Sequence, residues 1–337
     1  MKKRPAGFLC LLWFMVVGDF SGAGFRSAEA LILTGRVREL ALENPGTDTL
    51  YFAKPAAIGH DDENLYILDS IDSEIRVFSK SGAFRYATGK KGQGPAEFDG
   101  PNDFSLYGGK IYVSDAGNRR IQILDRKGKY LGGFKVTSFP MKVLALDENA
   151  VVVSHLPAVL PGDAAKEENL VRCFTPDGNY VWEAVRSLRD GDPVFDTMQN
   201  RHVLKACSGG FYFLRMCNDP WIRCLDRRGN ISRTVRVDKK YGWKTLSVPA
   251  QKGKKLTLSG LFWDCDVSGG FLYLLVPEFS ESGDLIAGRR LAVLSDDGSL
   301  VGWLDLPVRV NKISIDGGRI YVIDTDYRLR IFLAEEK

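Results

Sequence analysis

The chain has 337 residues, 45% of them hydrophobic and 35 of them glycine, the profile of a globular protein that turns often. The formal net charge is +4, from 46 Lys and Arg against 42 Asp and Glu. So near-neutral a balance lacks the clustered positive surface that phosphate binding wants, and nucleic acid is not expected as a partner. No P-loop, dinucleotide fingerprint or G-x-S-x-G nucleophile elbow is present.

Residues 1–23 read as an export signal. Lys2, Lys3 and Arg4 form the positive start, and Ala6–Val17 is an apolar core too short to span a bilayer comfortably. Small residues at Ser21–Ala23, and again at Ala28–Ala30, offer cleavage sites, so cleavage as late as residue 30 is allowed. Cys10 follows Phe8 and Leu9 inside the core, where a lipid attachment site would want small residues, so lipidation is not expected. Removing Lys2, Lys3, Arg4 and Asp19 takes the net charge from +4 to +2. The expected location is periplasmic or extracellular, with no membrane span after signal removal. Of the six cysteines, Cys173, Cys207, Cys217, Cys224 and Cys265 remain, an odd number without metal spacing. An oxidising compartment permits disulfides among them without requiring any.

The rest of the chain repeats one unit. Its clearest copy is Lys110–Phe134, KIYVSDAGNRRIQILDRKGKYLGGF, which reads as three consecutive strands joined by two tight turns. The strand before the second turn recurs as Ile75–Phe78, Ile121–Leu124, Val171–Phe174, Ile222–Leu225, Leu291–Leu294 and Leu329–Phe332, always apolar–variable–apolar–apolar. In five copies a turn with Gly in its fourth place follows, at Gly82, Gly128, Gly178, Gly229 and Gly298. Units of this length with four short strands are propeller blades, and radial stacking buries both faces of each sheet. The blades are predicted over 54–88, 100–136, 140–186, 201–237, 258–306 and 307–333. The sixth copy stops before a fourth strand, while Leu31–Leu42 is a strand without a blade of its own. The fold class is therefore all-β: a single domain over 31–337, a six-bladed β-propeller of four-stranded antiparallel blades. It is closed by the N-terminal strand completing the last blade, which covers an otherwise open edge.

The segment Ile111–Gln122 (IYVSDAGNRRIQ) with Asp125–Gly128, and Gly89–Phe98 with its G-x-G-P-x-E-F core, resemble the NHL-type six-bladed propellers, in particular the secreted bacterial six-bladed group. The likeness is strong over blades one, two and six, and is one of strand and turn elsewhere. It implies the fold and says little about activity, because this architecture hosts binders, scaffolds, lyases and hydrolases.

In such a meander the second-to-third strand turns and the connections between blades open on one face, here called upper. The remaining turns open on the lower face and are short throughout. The long segments, Gly89–Pro101, His155–Asn169, Arg186–Arg201, Asp238–Lys255 and Pro277–Arg290, all belong to the upper face and gather on blades three to five. Near the mouth of the channel on that face the sequence places Arg119, Arg120, His155, His202, Arg215, Trp221, Tyr327 and Arg328 as candidate binding residues, since aromatic residues with Arg make recognition surfaces. Peptide-amidating lyase propellers resemble this fold and hold zinc with three histidines. Of the three here, His60 lies on the lower face, apart from His155 and His202, so that trio cannot form. No cofactor is expected. Were calcium bound, Asp69, Asp115 and Asp324 are the foremost donors, with Asp264 and Asp266 beside them, although Asp after a strand is usually a turn former. The expected function is an exported, non-enzymatic binding or scaffold propeller, a monomer, recognising a protein, peptide or glycan. The alternative is a metal-dependent lyase or hydrolase at the central channel.

Overall fold

Short β-branched and aromatic runs bounded by Gly, Asp and Asn turns form twenty-six strands in the computed structural model, which describes residues 35–43, 50–157, 168–237, 245–249, 255–259, 262–281 and 285–335. The 1–23 segment lies outside these residues. After β1 (Val37–Glu39), blade one holds β2 (Pro55–His60), β3 (Asn64–Asp69), β4 (Glu74–Ser79) and β5 (Phe84–Thr88). Blade two holds β6 (Asp103–Tyr107), β7 (Lys110–Asp115), β8 (Arg120–Asp125) and β9 (Tyr130–Lys135). Blade three holds β10 (Lys142–Asp147), β11 (Ala150–Ser154), β12 (Asn169–Phe174) and β13 (Tyr180–Arg186). Helix α1 (Pro193–Gln199) precedes blade four, which holds β14 (His202–Cys207), β15 (Gly210–Arg215), β16 (Trp221–Asp226) and β17 (Ile231–Arg236). A separate hairpin, β18 (Thr245–Pro249) and β19 (Lys255–Ser259), comes next. Blade five holds β20 (Asp264–Ser268), β21 (Phe271–Phe279), β22 (Leu285–Leu294) and β23 (Leu300–Asp305). Blade six holds β24 (Val310–Asp316), β25 (Arg319–Asp324) and β26 (Leu329–Ala334).

Each blade is a four-stranded antiparallel sheet in sequence order, except that the sixth runs β1-β26-β25-β24, with Val37 opposite Ala334 and Glu39 opposite Phe332. Residues 31–34 of the predicted closing strand lie outside the described residues. Six apolar clusters fill the six interfaces between blades. One joins Tyr66, Ile75 and Val77 of blade one to Ile111 and Val113 of blade two. Another joins Ile323, Leu329 and Ile331 of blade six to Ile67 and Phe78 of blade one, with Leu40 and Leu42 packed on it. The fold is thus the six-bladed propeller that the repeat implies.

The five repeated turn glycines share one conformation, with φ from 81° to 91°, and each donates its N–H back to the residue three before it. A side chain would strain that backbone. It would also strike the preceding blade: a Cβ on Gly178 would lie 2.5 Å from Phe134 Cβ, and one on Gly298 1.8 Å from Val235 Cγ1. The turn signal legible in the sequence is therefore a contact between blades as well.

Three of the long upper segments are more ordered than loops. The 186–201 connection carries α1, started by Pro193 and capped by Asp192, whose Oδ1 accepts from Val194 N and Phe195 N. The 277–290 interruption is a continuation of the β21–β22 hairpin, with Glu278 opposite Ile286 beyond an irregularity at Val276. There Gly288 is required, because a Cβ would sit 1.7 Å from Val276 O. Residues 255–259 pair with 245–249 rather than with blade five. A chain beginning at residue 43 should lose about 3 kcal/mol of stability, from the partial burial of Val37, Leu40 and Leu42 at roughly 1 kcal/mol each. Urea unfolding would show it, and an unchanged midpoint would refute it.

Candidate functional site: the channel mouth and its rim

Six innermost strands, β2, β6, β10, β14, β20 and β24, surround a central cavity of about 250 Å³. Each has a sheet neighbour on one side only, so its other edge presents backbone N–H groups that need acceptors. At two interfaces the acceptors are side chains of the preceding blade. Asp103 Oδ2 accepts from Val143 N at 3.1 Å and Ser105 Oγ from Ala145 N at 3.1 Å. Asp264 Oδ2 accepts from Ile313 N at 3.0 Å, Asp266 Oδ2 from Ile315 N at 2.7 Å, and Ser268 Oγ from Gly317 N at 3.3 Å. Carboxylates thereby enter the channel, and lysines answer them. Lys142 Nζ stands 3.4 Å from Asp103 Oδ1, and Lys205 Nζ stands 3.0 Å from Asp266 Oδ1. Burial acts against the Lys205 charge, but Asp266 and then Asp264 hold its pKa above the ordinary value. The Lys312 side chain has no hydrogen bond or ion pair among the described residues, and burial lowers its pKa despite Asp264. The lower end of the channel carries His60, whose Nδ1 lies 2.8 Å from Ser314 Oγ. Burial, then Lys80, lowers its pKa.

The predicted binding residues divide into structural and exposed groups. Arg120 is committed to structure. Its Nε donates to Asp115 Oδ2 at 2.7 Å, and its other nitrogens hold the carbonyls of Gln93, Gly94 and Glu97 at 2.7–2.9 Å. It pins the connection between blades one and two, where Phe98 is fully buried. Arg215 is buried, paired with Asp219 at 2.6 Å and bonded to the carbonyl of Arg186. His155 is buried, with Nε2 3.3 Å from Glu168 Oε2, and Arg189 reaches the other oxygen of Glu168 at 3.1 Å. The second histidine, His202, is buried between Asn200 O at 2.7 Å and Ser154 Oγ at 2.6 Å, its ring stacked on Phe213. Burial pushes its pKa down to about 3. These four hold the upper face together from within, although the buried Nε of Arg215 has no hydrogen-bond partner among the described residues.

The other four remain at the surface, each beside a complementary neighbour or in a turn. Arg119 lies 4.5 Å over the exposed ring of Phe139. Trp221 is 36% exposed, with Arg236 5.7 Å over it. Arg328 lies 5.4 Å over Tyr51, which is 49% exposed. Tyr327, beside Arg328, is exposed at φ 59°. All lie in upper-face turns or connections or, for Trp221 and Arg236, at the upper ends of β16 and β17.

The suggested metal donors do not converge. Asp69 sits in blade one, where it accepts from four backbone N–H groups, those of Ala53, Lys54, Ile71 and Asp72. Asp115, in blade two, takes Asp99 N, Asn118, Arg120 and Gln122. Asp324, in blade six, takes Asp326 N, Arg328 N and Arg330. They are one structural device in three blades, a buried carboxylate that accepts from its own turn and from the incoming connection or the next strand. Among the described residues no group of three or more His, Cys, Asp or Glu has an arrangement that could hold a metal ion.

The channel charges Asp103, Lys142, Lys205 and Lys312 escaped the reading of the sequence. Their signal was weak: a polar residue in the first strand of a blade reads as ordinary strand alternation.

Fold and channel together define the class, a β-propeller of six four-stranded blades around a charged channel. Residues 39–155 match a family model described as 6-bladed beta-propeller. The chain is also similar to NHL repeat-containing protein 3 of Mus musculus, 32% identical over 95 residues, a stretch covering 26% of this chain and 27% of that protein. The human protein of the same name matches at 32% over 91 residues, 25% of this chain and 26% of that one, so this chain spans about a quarter of the length of the curated relatives it matches. Among solved structures it is similar to a gluconolactonase from Xanthomonas campestris, with TM-score 0.55 and 13% identity over 85% of this chain and 88% of that one. It is also similar to a virginiamycin B lyase from Staphylococcus aureus, with TM-score 0.52 and 11% identity over 88% and 99%. At such identities the likeness is one of fold. Among the described residues no helix is long and apolar enough to cross a membrane.

Two outcomes follow from the buried polar groups. Asp115→Ala leaves the part-buried Arg120 without its counter-ion and should cost about 3–5 kcal/mol in denaturant unfolding, with Asp115→Asn milder. His202 is neutral in the folded state, so the unfolded chain binds more protons between its folded pKa of about 3 and its unfolded value near 6.5. Stability is full above pH 6.5 and should fall by up to about 1.4 kcal/mol per unit as pH drops through that window. His202→Gln should flatten this slope in pH-dependent unfolding.

Proposed function

We propose that the protein is an exported, non-enzymatic binding or scaffold propeller that recognises a protein, peptide or glycan through its upper face. The observation that carries this reading is the set of three exposed aromatic–arginine pairs, Arg119 with Phe139, Arg236 with Trp221 and Arg328 with Tyr51, spread over that face. Rigid aromatic rings under guanidinium groups lose little conformational entropy on binding and offer apolar area with directional donors. The chain leaving blade four also passes beside Trp221, with Val237 N donating to the carbonyl of Pro220. The lower face has only short turns between strands.

The test is a screen of the full chain against peptide and glycan arrays, followed by titration of the hits with variants. Trp221→Ala, and Arg119→Ala with Phe139→Ala, should each weaken a true ligand about 10- to 100-fold, as interface anchors do, while melting stays near that of the parent. Hits bound equally well by all variants would place recognition elsewhere on the molecule.

A further inference from the structure

The channel contains the same device twice, in two different states. In blades two and three, Asp103 accepts from Val143 N and pairs with Lys142, the residue before it, so both carboxylate oxygens are used. In blades five and six, Asp264 accepts from Ile313 N, and Lys312 again is the residue before it. Among the described residues no ion pair forms here: Asp264 accepts through Oδ2 alone, and Lys312 uses none of its three side-chain donors. The two pairs stand on opposite walls, since blades three and six, like two and five, are half a turn apart. Blades one and four place Ala56 and Val203 between them.

We propose that the upper channel mouth binds a small carboxylic acid carrying a hydrogen-bond donor on the neighbouring carbon, a hydroxy or amino acid, with Lys312 receiving the carboxylate and Asp264 the donor. Charge favours this class. The channel's three lysines and three aspartates leave it neutral apart from His60, so a monoanion or zwitterion enters without net repulsion. A dianion such as phosphate would meet Asp103 and Asp264 unfavourably. Size favours it too: about 250 Å³ is below the range of drug-sized pockets and suits a molecule of a few heavy atoms. A half-buried ammonium with no carboxylate in ion-pair contact among the described residues is under-compensated, and a carboxylate ligand supplies the missing contact. Burial lowers the Lys312 pKa; Asp264 and Asp103 oppose this, and Lys142 and Lys205 add to it. A bound carboxylate stabilises the charged lysine, so binding holds where the ligand's carboxylate is ionised and the lysine protonated, and declines as pH rises through the Lys312 pKa. This site goes beyond the recognition rim and stands whether or not the rim binds a macromolecule.

The experiment is saturation-transfer NMR on the full chain with glycolate, glycine, propionate and inorganic phosphate as probes. Glycolate or glycine should bind, and propionate, lacking the donor, should bind about tenfold more weakly. Lys312→Met should lose about 10- to 100-fold, the range for hydrogen bonds to charged groups. Asp264→Asn should reduce the preference for glycine or glycolate over propionate. Lys312→Met should also melt at or above the parent temperature, because an unpaired ammonium has been removed. Binding unchanged in Lys312→Met, phosphate preferred to the carboxylates, no binding of glycolate or glycine by the folded parent, or a marked drop in the Lys312→Met melting temperature would each overturn the proposal.

Discussion

The innermost strand of a blade pairs on one side only, and the rest of the channel follows from that constraint. Its second edge turns toward the neighbouring blade at a radius too small for another strand. Backbone N–H groups there are shielded from water and need acceptors. Asp103, Ser105, Asp264, Asp266 and Ser268 supply them by reaching across to β10 and β24. Carboxylates brought in for this task make the channel acidic, and Lys142, Lys205 and Lys312 restore neutrality. The charged interior is thus a consequence of how blades are joined. A site for ligands can arise where that compensation is left incomplete.

The same economy appears at the upper face. Asp69, Asp115 and Asp324 each end the second strand of a blade and bind the turn that follows. Blade four replaces this device with Arg215 and Asp219, and blade three with His155 and Glu168. The substitutions keep a buried polar pair at the corner while changing its chemistry. That explains why residues that look functional in the sequence, His155, His202 and Arg215, are spent on internal bonds. Of the other predicted residues, Arg119 lies by the ring of Phe139, Arg328 by that of Tyr51, and Trp221 by Arg236, which the sequence did not single out.

Much of the fold was legible because its signals are local and repeated. The strand pattern from Ile75–Phe78 to Leu329–Phe332 and the glycines from Gly82 to Gly298 mark strands and turns wherever they occur, since pleating and positive φ depend on a few adjacent residues. The site was much less legible. Whether Arg120 binds a ligand or a backbone carbonyl depends on where residues 93–97 lie, which is a matter of chain path. Pro277–Arg290 read as a loop because its Pro and Gly break strand propensity, yet pairing across β21 and β22 carries the strands through it.

From sequence alone came the number of blades, the strand order within them and the turns that need glycine, because each is set by residues close together along the chain. Tertiary structure decided which charges meet. Lys142 pairs with Asp103, whereas Lys312 has no ion pair among the described residues, although both occupy the same place in their blades. The difference lies in angstroms of approach between sheets far apart in sequence, and electrostatic energy in an enclosed channel depends steeply on that distance.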